Sequence, residues 1–174
     1  MTGAQQVWLS QLLRRLAGRH GIRLLVATLA VAVLLIPATG ARAADLFVTD
    51  AGSGSSCTQS SPCQLSTAIT NATAGDSVYM AAGTYTGSGD AVATITKALN
   101  LYGGWDGSSA GPAVRDPDTF VTKIHGQNTR RGVVISGVAA VLLDGFTITR
   151  GRHSDRGGGL YCSGAALTLR QMVF

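Results

Sequence analysis

Side chains able to transfer protons, hold a metal or grip a charged ligand are few in this chain of 174 residues, and they fall in a handful of short segments. Two carboxylates stand next but one to each other in Asp116-Pro117-Asp118, beside Arg115. Paired carboxylates cleave glycosidic bonds when held roughly 5 to 9.5 Å apart. The proline, and a position inside an insertion over 108–119, predict instead a rigid, solvent-facing turn. His153-Ser154-Asp155-Arg156 joins an imidazole to a carboxylate, a combination able to move protons. Residues so near in sequence rarely face each other, however, and no nucleophile stands by, so the segment reads as a solvated loop leading into Gly157, Gly158 and Gly159. His125 reads as a polar residue at a strand end, and Asp144 as the partner of Gly145 in a turn. A calcium site takes six to eight oxygen ligands and a zinc site four, in paired clusters, and no segment gathers either set. No catalytic residue, metal ligand or cofactor is therefore assigned.

Contact chemistry is better represented. Arg130-Arg131 is a charge pair in a loop that could touch an acidic glycan, and His153 lies in the most polar loop of the chain. Trp105, after Gly103-Gly104, could offer a flat platform to a sugar ring together with Tyr102 and Tyr161, or supply buried area to a thin core. Trp105, Arg130, Arg131 and His153 are the expected glycan contacts. Cys57 and Cys63 can close a small loop as a disulfide if the chain is exported, the alternative being two free thiols. Cys162 reads as a small apolar residue inside a strand.

The elements that must position these groups begin after a leader. Arg14, Arg15, Arg19 and Arg23 precede an apolar run from Leu24 to Ile36, and Ala41-Arg42-Ala43 is a small-x-small motif before Ala44. Residues 1–43 are thus expected to be a secretory signal peptide cleaved between Ala43 and Ala44, the apolar run being short of the roughly 20 residues a membrane span needs. The membrane enters only through this export signal. Five of the 14 basic residues lie before the cleavage site, whereas all nine acidic residues lie after it, so the mature chain carries no net charge. The high isoelectric point belongs to the leader, and no basic stripe remains to suggest a nucleic-acid partner.

The mature segment is rich in Gly, Thr, Val, Ala and Leu, which suits short strands broken by tight turns. Its acids are all Asp, a residue of corners. A helix is predicted over Ser61–Ala74, with Ser61 as cap, Pro62 at its first position, and Leu65, Ala68, Ile69 and Ala72 on one face. The phrases Leu99–Trp105, Val141–Ile148 and Leu167–Phe174 recur at offsets of 42 and 26 residues. A repeating unit of about 20 to 26 residues would account for both offsets. Val141, Leu143, Leu167 and Leu169 are expected to face inward. With no credible helix after Gly75, the pattern predicts an all-β, right-handed parallel β-helix (solenoid) whose N-terminal helix caps the first coil. The cap is placed at 44–75 and the coils at 76–174.

In Ala68–Tyr85, Leu101-Tyr-Gly-Gly-Trp105, Leu143–Thr149 and Gly157–Tyr161 the chain resembles pectin-lyase-like parallel β-helix proteins, in particular bacterial surface proteins with polymorphic-outer-membrane-protein-type repeats. It departs from that pattern at Thr149, where an Asn is usual three residues after the Phe. The resemblance implies an exported or cell-surface scaffold that displays loops for adhesion or for binding a polysaccharide or host glycan, without catalysis in these residues. The same superfamily includes polysaccharide lyases and glycoside hydrolases, so the rival expectation is an enzyme whose active site lies in coils after Phe174. On either reading residues 44–174 are expected to be the N-terminal part of a longer stack.

Overall fold

The computed structural model describes residues 42–174. The signal-peptide expectation over 1–43 lies, up to residue 41, outside the described residues, and the compact unit considered below begins at Ala43. Among the described residues no helix is long and apolar enough to cross a membrane.

Among the described residues eleven strands and one short helix follow one another as β1 (Asp45–Val48), α1 (Leu65–Asn71), β2 (Ser77–Ala81), β3 (Gly83–Tyr85), β4 (Ala91–Ile95), β5 (Asn100–Trp105), β6 (Thr122–His125), β7 (Arg131–Ser136), β8 (Ala140–Asp144), β9 (Phe146–Thr149), β10 (Leu160–Ser163) and β11 (Ala166–Arg170). They pair into three separate sheets, ordered β1-β2-β5-β8-β11, β10-β7-β4 and β3-β6-β9. Every pairing is parallel. From β2 onward the chain visits the three sheets in rotation.

The expected right-handed parallel β-helix solenoid stands corrected to this arrangement of three distinct parallel sheets. A solenoid of repeats needs a near-constant period, and the chain has none. Paired residues along the five-stranded sheet lie 32, 23, 42 and 26 positions apart. The connections absorb the difference, above all the segment 106–121 between β5 and β6.

Alternation along each strand sends one set of side chains inward. Leu46, Val78, Leu101 and Leu143 stand in register on successive strands of the five-stranded sheet, and all four are buried. Tyr85, Ile124, Phe146 and Ile148 from the β3 sheet and Ala93, Ile95, Val133 and Ile135 from the β4 sheet meet them in one core. Each such aliphatic or aromatic side chain contributes roughly 1.5–3 kcal/mol through burial. The expectation for Val141 and Leu143 agrees with this core, but Leu169, next in the same rung, is 42% exposed. Among the described residues β11 pairs on one side only, with β8, and no further strand lies over Leu169.

The helix is shorter than the sequence predicts and starts three residues later, at Leu65 instead of Pro62. Cys57 and Cys63 form a disulfide, and Cys63 is held extended beside β1, its amide donating to the Phe47 carbonyl at 3.1 Å and its own carbonyl accepting the Thr49 amide at 3.2 Å. Ser61, bridged antiparallel to Thr58, therefore cannot cap. Gln64 stands at the N-cap with no side-chain cap bond. The C-terminal end is held from outside, the Lys97 ammonium donating to the carbonyls of Ile69, Thr70 and Ala72 at 3.0, 2.8 and 2.7 Å. These carbonyls have no partner within the helix, which is where a cation is best placed.

Candidate functional site: an arginine-rich corner

Three connections link the β3 sheet to the β4 sheet, namely 86–90, 126–130 and 150–159, and the parallel stacking of the strands lays them side by side at one corner. Backbone hydrogen bonds join them. The Arg131 amide donates to the Asp90 carbonyl at 3.0 Å, the Asn128 amide to Arg150 at 2.8 Å and the Arg152 amide to Arg130 at 2.8 Å. The approach is close enough to demand glycine. A Cβ on Gly126 would lie 2.5 Å from the Arg130 carbonyl oxygen and 2.7 Å from that of Arg150.

This stacking gathers charge that is dispersed in the sequence. Arg130, Arg131, Arg150, Arg152 and Arg156 share the corner with Asp90 and Asp155. Asp90, Asn128, Thr129, Arg130, Arg152 and His153 line a cleft of about 510 Å³ there. Arg131 is the hub. Its Nη2 lies 2.8 Å from His153 Nδ1, and its Nε and Nη2 donate to the Arg156 carbonyl at 3.2 and 3.1 Å. Its guanidinium carbon also sits 4.8 Å from the centre of the Tyr161 ring, within range of a cation–π contact. The Asp155 amide donates to His153 Nδ1 as well, at 3.1 Å. With two donors aimed at it, Nδ1 is an acceptor, so the neutral ring carries its proton on Nε2. The imidazole is thereby used to orient Arg131.

Arg130 Nη2 donates to the Thr129 hydroxyl at 3.3 Å, while its Nε and Nη1 are shielded from water without a protein partner. Arg152 is exposed at the mouth of the cleft. Arg156 and Asp155 form an ion pair at 3.2 Å, but with side chains 73% and 64% exposed it contributes little to stability. Arg152 can therefore hold an anion at the mouth of the cleft by forked hydrogen bonds, the chemistry guanidinium groups perform on carboxylate, sulfate or phosphate, with the charge of Arg130 behind it.

The structure brings Arg130, Arg131 and His153 together as one surface and separates Trp105 from them. Trp105 is 0% exposed, which corrects its expected role in glycan contact. It packs in a second apolar cluster with Phe47 and Ala81, with Ala113 of the β5–β6 connection laid over it. The Phe47 ring meets it edge-on at 5.0 Å. Tyr102 stacks on Tyr79 at 5.3 Å, and the Arg115 guanidinium lies 4.7 Å from its ring centre. Both faces of Tyr102 are thus taken. Arg115 also pairs with Asp144 at 3.3 Å, so Asp144 does more than turn the chain with Gly145.

Asp116 and Asp118 belong to a self-contained turn. Asp116 accepts the Thr119 hydroxyl at 2.7 Å, the Thr119 amide at 3.3 Å and the Asp118 amide at 3.1 Å. These bonds, led by those from Thr119, hold its carboxyl below the ordinary value, the opposite of what a general acid needs. His125 Nδ1 accepts the Gln127 amide at 3.2 Å. Cys162 carries a free, partly buried thiol. Among the described residues no three His, Cys, Asp or Glu side chains gather to hold a metal ion.

Comparison with known proteins finds no matching protein-family model, no matching curated protein and no matching solved structure. The corner therefore has to be read from its own residues. Sequence reasoning singled out Arg130, Arg131 and His153 but did not join them to Arg152. The signal was present in the 22 residues from Arg131 to His153, close to the 24 and 27 that separate paired residues of β6 with β9 and of β7 with β10.

Proposed function

We propose that this protein is exported through its N-terminal leader and serves, without catalysis in these residues, as a secreted or cell-surface binder of acidic polysaccharide. The exposed Arg152 takes the carboxylate or sulfate groups, Arg130 and Arg131 add positive charge beside it, and His153 holds Arg131 in place. One observation carries the reading: Arg130 and Arg152, from connections distant in sequence, line one cleft, with Arg131, Arg150 and Arg156 on or beside the same stacked connections, in a mature chain that has no net charge. Such charge asymmetry recruits polyanions, whereas an evenly mixed surface does not.

Titration calorimetry of the protein with polygalacturonate, alginate and uncharged dextran tests it. The two polyanions should bind with an affinity that falls as salt rises, and dextran should not. The double variant R130A/R152A should lose about tenfold or more in affinity, which is about 1.4 kcal/mol. Equal binding of dextran and polygalacturonate would refute the charge reading. Release of shortened chains during the incubation would refute the non-catalytic one.

A further inference from the structure

A second cleft, of about 650 Å³, lies between α1 and the β3–β4 connection, and its chemistry differs from that of the arginine corner. Its volume falls within the roughly 300–1,000 Å³ usual for small-ligand sites. The walls present the hydroxyls of Thr49, Ser66, Thr84, Thr86, Ser88 and Thr94, all on residues exposed or half-exposed, with the Asp50 carboxylate among them. Asp50 accepts the Thr84 amide at a long 3.4 Å and forms no salt bridge among the described residues. The Tyr85 hydroxyl is spent on the Val48 and Ala81 carbonyls at 3.2 and 3.0 Å, leaving its ring as floor. Ile69 and Val92 add an apolar strip. Hydroxyls that both donate and accept, a carboxylate able to take two neighbouring O–H groups and a patch for C–H faces together match an uncharged sugar.

The two clefts meet. Gly89 lines both, with Ser88 on the hydroxyl side and Asp90 on the arginine side. A uniformly acidic chain crossing this point would set carboxylates against Asp50 and Asp90, whereas an uncharged unit would not. We propose that the hydroxyl-lined groove is a neutral-sugar subsite continuous with the arginine corner, and that the ligand is a polysaccharide in which acidic and uncharged units alternate. This rests on the arginine corner being an acidic-glycan site.

The test uses hyaluronan oligosaccharides, whose glucuronate units alternate with N-acetylglucosamine, and oligogalacturonates of equal total charge. Hyaluronan should bind about tenfold more tightly. The exposed, shape-conserving pair T86V/T94V should lower hyaluronan affinity about three- to tenfold and leave oligogalacturonate within about twofold, while R130A/R152A should lower both. If T86V/T94V leaves hyaluronan binding unchanged while R130A/R152A lowers it, the groove inference is overturned and the arginine reading survives. Equal losses on both ligands in T86V/T94V would also overturn it. Failure of every oligosaccharide to bind the unsubstituted protein would overturn both.

Discussion

Replacing Trp105 by Ala separates a core residue from a sugar platform. Trp105 is fully buried, makes an edge-on contact with Phe47 at 5.0 Å, and pins the 106–119 segment against the five-stranded sheet through Ala113. Truncating a buried Trp to Ala costs about 3–5 kcal/mol. The buried Trp105 Nε1 has no hydrogen-bond partner, and removing that desolvated donor returns about 1 kcal/mol. The expected loss is therefore about 2–4 kcal/mol. With a urea slope of about 2 kcal/mol per molar, the midpoint should fall by roughly 1–2 M. Far-ultraviolet circular dichroism reads it, since the variant loses the sole tryptophan of residues 42–174. W105F, which keeps an aromatic ring and deletes the orphaned N–H, should lose about half as much. Polygalacturonate affinity measured well below the unfolding transition should be unchanged in both variants. Near-normal stability in W105A combined with lost glycan binding would refute this assignment.

Reducing the Cys57–Cys63 disulfide should cost about 2 kcal/mol, the loop being only a few residues long; chemical denaturation with and without reductant reads this, and thiol titration should count one accessible thiol after unfolding without reductant and three with it. Burial works to raise the Asp76 carboxyl, but bonds from the Thr73 amide, the Ala44 amide and the Thr73 hydroxyl, with Lys97 nearby, outweigh it and hold the group below its ordinary value. A depressed folded-state pKa gives stability that is fully present above the unfolded value of about 3.9 and is lost as pH falls through the folded one, so D76N should flatten the acid limb of a melting-temperature profile below about pH 4. In a chain cleaved between Ala43 and Ala44 the donor 2.8 Å from Asp76 becomes an ammonium, and the processed protein should melt higher than the unprocessed one at pH 7. G126A should cost about 1–3 kcal/mol, because its Cβ meets backbone of its own loop at Arg130 and of the neighbouring loop at Arg150 and Gly151, and should weaken acidic-glycan binding by displacing Arg130 and Arg150.

Local rules made much of this protein readable from its residues. Strand composition, the inward pair Val141 and Leu143, and the parts of a Cys57–Cys63 loop were all legible because each depends on a few adjacent positions, whereas the repeat of that pair at Leu167 and Leu169 did not hold for Leu169. The helix was legible in its apolar face but not in its start. A cap at Ser61 competes with the extended pairing of Cys63 beside Val48, and that pairing takes the Ser61–Cys63 stretch out of helical geometry. The assumption of a fixed repeat failed for a related reason. Similar strand phrases say that strands pair, but the connections between them differ in length, and three sheets with uneven spacing satisfy the same local pattern.

The chemistry of the surface depended on contacts between segments far apart. Nothing near Trp105 announces that residues 106–119 fold back over it, and nothing near Arg131 announces His153, Arg152 or the Asp90 carbonyl. Alternating side-chain direction is a property of one strand, so composition and spacing suffice to predict it. Which loops share a corner follows from register across sheets, where partners stand 23 to 42 residues apart, and from the loop lengths that register tolerates. The arginine corner and the hydroxyl groove beside it are products of that stacking, which places charge from 130–131 against charge from 150–156 and leaves the groove between α1 and β4.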